Sequence, residues 1–158
     1  MDLIEAIQSR KSIRGYKPDP VPKKVLKEII EIASRAPSSL NAQPWEFTVV
    51  AGEVIEKIKQ ANIENYASGV ATHPDLSWHE RLTGKYRERQ VALGIQLFQL
   101  MGIAREETEK KIEWTKKGLR FFDAPAAIIL TIDESMRDVA QFDIGTITQT
   151  IALAALHY

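Results

Sequence analysis

Arg10, Ser12 and Arg14 stand at alternate positions in the stretch SRKSIRGY, residues 9 to 16, with Lys11 between them. In an extended chain, alternate side chains face the same way, about 7 Å apart. Two planar guanidinium forks and a hydroxyl on one face suit a phosphate. Lys11 adds charge from the side. A second reading is that cations near a helix C-terminus complement its dipole, worth about 0.3–1 kcal/mol. R-x-S-x-R is a short pattern that also occurs by chance, so spacing alone leaves both readings open.

A second cluster lies in APSSLNAQPWEF, residues 36 to 47. Pro37 and Pro44 stiffen a loop that carries Ser38, Ser39, Asn41 and Gln43. These side chains offer donors and acceptors without charge, which suits the edge of a flat heteroaromatic ring. The alternative is a turn whose Ser and Asn side chains satisfy their own backbone. Trp45 and Phe47 read as core anchors at a strand entrance.

Helices and two strands must position these groups. Asp2 is suited to cap a first helix, with Glu5 at the capping-box position and Leu3, Ile4 and Ile7 at helical spacing. That helix is expected to fade over Ser9 to Ser12, before KPDPVP forbids its continuation. Pro22 opens a second helix, with Val25, Leu26, Ile29, Ile30 and Ala33 along one face. Residues 45 to 51 read as a strand and 53 to 66 as a helix. A loop is expected over 68 to 77. A long helical stripe then runs from Trp78 to Met101; Thr83 and Gly84 weaken it, which leaves one helix or two as readings. A charged helix ends near Gly118. The second strand is AAIILTI, 126 to 132, apolar throughout and so expected to be covered on both faces. The last stretch, from Met136, reads as one helix that becomes strongly apolar. Two strands are few for a complete domain, and the closing IALAALHY carries no Gly or Pro stop. Residues 1–158 are therefore expected to form a single domain that is the front part of a longer protein.

Composition bounds the function. The chain has 158 residues, 44% hydrophobic and 27% charged, an ordinary globular profile. Lys plus Arg and Asp plus Glu are both 21, so net charge is zero. That disfavours a general binder of nucleic acid or anionic membrane. The absence of cysteine removes disulfides, thiolate nucleophiles and Cys-ligated metal sites, and it fits a cytoplasmic protein. No signal peptide pattern or run of about 20 apolar residues occurs. His73, His79 and His157 lack metal-ligand spacing, and no phosphate-binding glycine loop is found.

Taken together, the two clusters resemble the nitroreductase family. Its opening R-R-S-x-R followed by an aromatic stands here as Arg10, Lys11, Ser12, Arg14 and Tyr16. Its second motif, A-P-S-x-x-N-x-Q-P-W, stands as Ala36, Pro37, Ser38, Asn41, Gln43, Pro44 and Trp45. FFDAPAAIIL and FDIGTITQTIALAA look like later family segments, with Asp143, Gly145 and Gln149 in place. The resemblance implies an α+β fold, with helices around a small, mainly antiparallel sheet, and an interlocked homodimer. The chain given is expected to lack the C-terminal part of that fold. FMN is the implied cofactor, held non-covalently at the subunit interface. Arg10, Ser12 and Arg14 would hold its phosphate and ribityl end, with Lys11 near the ring's polar edge. Pro37, Ser38, Ser39 and Asn41 would reach the FMN of the partner subunit. NAD(P)H would supply electrons, in ping-pong fashion, to a small electron-poor acceptor of the nitroaromatic or quinone class. The cofactor carries that chemistry, which agrees with a sequence lacking a triad or metal set.

The locally basic GKYRERQ, 84 to 90, reads as a solvated helix face; a second reading sets Arg87 near the flavin or its electron donor. Asp143 is expected to cap or bond backbone locally, and Gln149 to point toward the flavin-side core. The competing functions are a helical interaction module that contacts phosphates of nucleic acid or a partner, and a fragment that dimerises without activity.

Overall fold

The computed structural model describes residues 2–75 and 82–158. Trp78, His79 and the junction between the expected loop and the long stripe lie outside those residues. The element order is α1 (Leu3–Ser9), α2 (Lys23–Ala33), β1 (Trp45–Ala51), α3 (Gly52–Ala67), α4 (Gly84–Leu100), α5 (Thr108–Leu119), β2 (Ala126–Ile132) and α6 (Gln141–His157). Short 3-10 turns occur at Ser39–Asn41, Phe121–Asp123 and Glu134–Met136. The architecture is α+β. None of the described helices is long and apolar enough to cross a membrane.

Two compact units divide the chain: Met1–Ile58 with Phe121–Tyr158, and Lys59–Arg120. In the first, β1 and β2 pair antiparallel in register from Trp45 opposite Ile132 to Ala51 opposite Ala126. Gly52, at φ +56, makes the reversal from β1 into α3, a conformation that costs glycine little. Ala33, Ala36, Trp45 and Ile147 form the core cluster, with Phe47, Leu130, Ile144 and Ile151 packed against it. Ala33, the last residue of α2, is small enough to let that helix approach α6 closely. Trp45 and Phe47 are thus the anchors their types suggest. Both α1 and α2 pack on α6.

Local signals explain most boundaries. The Asp2 carboxylate accepts from the Glu5 backbone N–H at 2.8 Å, capping α1 as expected. Pro22 occupies the N-cap of α2 rather than its first turn, and its carbonyl accepts from the Val25 and Leu26 N–H groups. The final helix begins at Gln141, later than its apolar pattern suggests. Asp133 is the reason: its carboxylate accepts from the Ser135 N–H and hydroxyl, closing a separate turn over Glu134–Met136. The β2 strand also departs from expectation. Its residues are half-buried and Thr131 is exposed, so among the described residues its faces are only partly covered.

In the second unit, the Asn62 side chain donates to the Leu119 carbonyl at 3.0 Å, tying α3 to the end of α5. Lys111 sits over the Phe98 ring at 5.6 Å. The α4 helix begins at Gly84 with Thr83 as its N-cap, which explains the break in helical pattern at those residues.

Candidate functional site

The cationic strip starts where α1 stops. The Arg10 backbone N–H donates to the Ala6 carbonyl at 3.1 Å, and its φ of −56° and ψ of 126° turn the chain out of the helix. Arg10 is half-buried; Lys11, Ser12 and Arg14 are exposed. The Arg14 guanidinium donates to the Ser12 carbonyl at 3.3 Å, using one of its five N–H donors. No basic residue lies in the last turn of α1 itself. A helix dipole acts within the terminal turn, so it accounts for Arg10 at the cap but not for Arg14 four residues beyond.

The second cluster forms one tight turn. The chain enters it through an extended Ser38, then takes positive φ at Leu40, Asn41 and Gln43, at 51°, 57° and 46°. Such angles are uncommon for residues other than glycine and need support from their surroundings. Ser38 supplies part of that support: its hydroxyl accepts from the Gln43 N–H at 2.9 Å, and its carbonyl accepts from the Asn41 N–H at 3.1 Å. The Asn41 side-chain carbonyl accepts from the Gln43 amide at 3.4 Å, which leaves the Asn41 NH2 as a donor. Ser38 is half-buried, and Pro37, Ser39 and Asn41 are exposed. Part of the cluster therefore does satisfy its own backbone, while Ser39 and the Asn41 amide face outward.

Asp143 does not act locally. Its carboxylate bonds backbone far away in sequence: it accepts from the Ser39 N–H at 3.1 Å, across 104 residues. It is only 2% exposed. One turn further along α6, the Thr146 hydroxyl lies 2.9 Å from the Pro37 carbonyl and 2.7 Å from that of Asp143. Its single proton is shared between two acceptors. Position in the first turn of a helix favours the buried carboxylate, because the dipole there is positive. The sequence around Thr146 carries no signal for this role. The available signal was an acid flanked by Phe142 and Ile144 at a helix start, a setting in which a carboxylate needs a partner. Gln149 is exposed rather than core-facing.

The structure thus brings Pro37, Ser38, Ser39 and Asn41 together in one turn and ties that turn to α6. Arg10, Lys11, Ser12 and Arg14 form a separate strip on the segment after α1. In the other unit, Arg87 is exposed on α4 and donates to the Gln90 side chain at 2.6 Å, in keeping with a solvated face.

This donor set fits FMN chemically. An exposed run of cations with a hydroxyl suits a phosphate monoester, and neutral polar groups on a stiff turn suit the edge of an isoalloxazine ring.

Comparisons with known proteins agree in family. The chain is 31% identical over 159 residues to the nitroreductase NfnB of Mycolicibacterium smegmatis, covering 98% of this chain and 68% of that protein. It is 32% identical to a 4-nitrobenzoate reductase of Pseudomonas putida, covering 98% of this chain and 67% of the relative. Among solved structures, the FMN and NADPH-dependent nitroreductase NfnB from Sphigopyxis sp. strain HMH superposes with a TM-score of 0.94 at 31% identity, over 99% of this chain and 71% of that one. The nitroreductase family profile matches residues 7–158. With both motifs, the α+β architecture and these likenesses in agreement, the chain belongs to the nitroreductase family.

Proposed function

We propose that the chain is an NAD(P)H-dependent FMN oxidoreductase acting on small nitroaromatic acceptors, with quinones as a second acceptor class. The reading draws on relatives named for FMN, NADPH and nitrobenzoate reduction. The observation that carries it is the strip of half-buried Arg10 and exposed Lys11, Ser12 and Arg14, whose distal cation lies beyond the reach of the α1 dipole.

In this reading the strip binds the FMN phosphate and ribityl end. Arg10 and Arg14 neutralise the dianion with planar N–H forks, Ser12 donates a hydroxyl, and Lys11 lies toward the polar edge of the ring. Pro37, Ser38, Ser39 and Asn41 orient the ring of the flavin held by the strip of a second copy, so the working unit is a homodimer. FMN, when bound, would supply the redox chemistry that links NAD(P)H to the acceptor in two half-reactions. The protein contributes fixed donors and a water-poor slot; no nucleophile or metal ligand is required of it. This reading includes a cytoplasmic setting, in keeping with a sequence without cysteine.

The double variant Arg10→Ala/Arg14→Ala tests the assignment. Loss of two charge-assisted contacts should weaken FMN binding by about a hundredfold, at roughly 1.5 kcal/mol each. Titration by flavin fluorescence reads the affinity. An unchanged dissociation constant in a folded double variant refutes the clamp.

A further inference from the structure

The turn that carries Ser38, Ser39 and Asn41 is held from outside by one helix. Leu40, Asn41 and Gln43 occupy the left-handed region without being glycine. Leu40 is 100% exposed, so its own packing contributes nothing to holding that conformation. Bonds within the turn, from Gln43 to the Ser38 hydroxyl and from Ala42 to the Ser39 carbonyl at 2.9 Å each, fix its shape but not its place in the fold. Two bonds to α6 fix its place. The Asp143 carboxylate receives the Ser39 N–H, and the Thr146 hydroxyl reaches the Pro37 carbonyl. They grip the chain on either side of Ser38. Asp143 is buried, and among the described residues its carboxylate is met by the main-chain N–H of Ser39, so it acts on the turn rather than on solvent.

We infer that Asp143 is a positioning residue for the flavin-facing turn, with Thr146 as its second point of hold. This rests on the reading that Ser38, Ser39 and Asn41 meet FMN. A carboxylate suits the task because it accepts strongly from an amide while offering no competing donor. Its placement in the first turn of α6 sets the distance between helix and turn, since one turn further on that helix is anchored in the core by Ile147. Freed from Asp143, the strained turn can relax toward commoner backbone angles and carry its side chains away from the ring.

The test compares Asp143→Ala, Asp143→Asn and Thr146→Val in the full chain, each confirmed as folded by circular dichroism. Asparagine keeps an acceptor oxygen where the carboxylate oxygen stood; alanine does not. FMN affinity should fall about tenfold or more in Asp143→Ala, for loss of a charge-assisted bond. Asp143→Asn should recover to within about threefold of the unaltered protein, and Thr146→Val should fall between them. The visible circular dichroism of bound flavin, which reports the ring's surroundings, should change in the alanine variant and return in the asparagine one. Amide exchange at Ser39 reads the bond without any flavin and should quicken only where the acceptor is lost. A folded Asp143→Ala protein with faster Ser39 exchange but unaltered FMN affinity and flavin signal overturns the positioning role while leaving the flavin reading intact. Equal losses in the alanine and asparagine variants also overturn it, because the acceptor would then not be what matters. If the unaltered protein binds no FMN while Ser39 exchange still depends on Asp143, the flavin reading fails and takes this role with it. Should Asp143→Ala not fold, Thr146→Val carries the test: unaltered affinity and flavin signal there overturn the two-point hold.

Discussion

Ile147 shows how much one side chain of the core supports. It is fully buried at 0% exposure, against Ala33, Ala36 and Trp45. Ile147→Ala should cost about 2–5 kcal/mol through lost burial and the cavity left behind. For a chain of this size that is a fall in Tm of roughly 5–15 °C, read by thermal melting. A change below about 2 °C would mean that neighbouring side chains collapse into the space. Residue types reveal Trp45 and Phe47 as anchors, because large aromatics at a strand entrance have few other roles. The strip from Arg10 to Arg14 is visible for a related reason: alternating cations make a pattern within five residues. Asp143 offers no such pattern. Its partner is 104 positions away, and only the folded chain reveals it.

Strand limits follow the sequence closely, since both runs are dense in β-formers between breakers. The extent of β2 burial does not, because an apolar run cannot show how many neighbours a strand will have. The start of α6 is obscured in the same way by Asp133, whose local bonds to Ser135 compete with the helix. At the start of α5, Glu107 acts at this same scale. Its carboxyl is held below the ordinary 4.5, first by the hydrogen bond from Lys110 and then by the Ala104 N–H. The Lys110 ammonium is 2.5 Å away and the Ala104 nitrogen 2.7 Å. A depressed value in the folded state means support for α5 that is present above about pH 4.5 and is lost as pH falls through the lower folded value. Carboxyl-carbon titration by NMR should place Glu107 below 4.5, and Lys110→Met should raise it. A titration at or above 4.5 in the unaltered chain would remove this pair from the account of the helix start.

For the whole molecule, the proposed homodimer can be weighed directly. Leu3, Ile4, Leu40 and Phe142 are all exposed apolar side chains of the first unit, Phe142 at 79%. Burial of such groups is the usual driving force for association. Sedimentation equilibrium should give twice the 17.8 kDa chain mass at micromolar concentration, and Leu40→Asp should shift the protein toward single chains. A single-chain mass for the unaltered protein would sink the shared-site reading without touching the family assignment. The overall class is legible because helix-patterned stretches flank two β-rich runs, whereas the division into two units is not, for it depends on contacts between the ends of the chain.

That division has a consequence for how the fold tolerates change. The first unit is discontinuous: residues up to Ile58 close against residues from Phe121 onward, and everything between is an excursion. The entropy of closing such an excursion grows only logarithmically, about 0.6 kcal/mol for each doubling of length. Residues 59–120 are therefore the part of the chain where length and composition are cheapest to vary. Grafts and deletions within it should leave the β1–β2 register and the Ala33, Ala36, Trp45 and Ile147 core of the first unit in place.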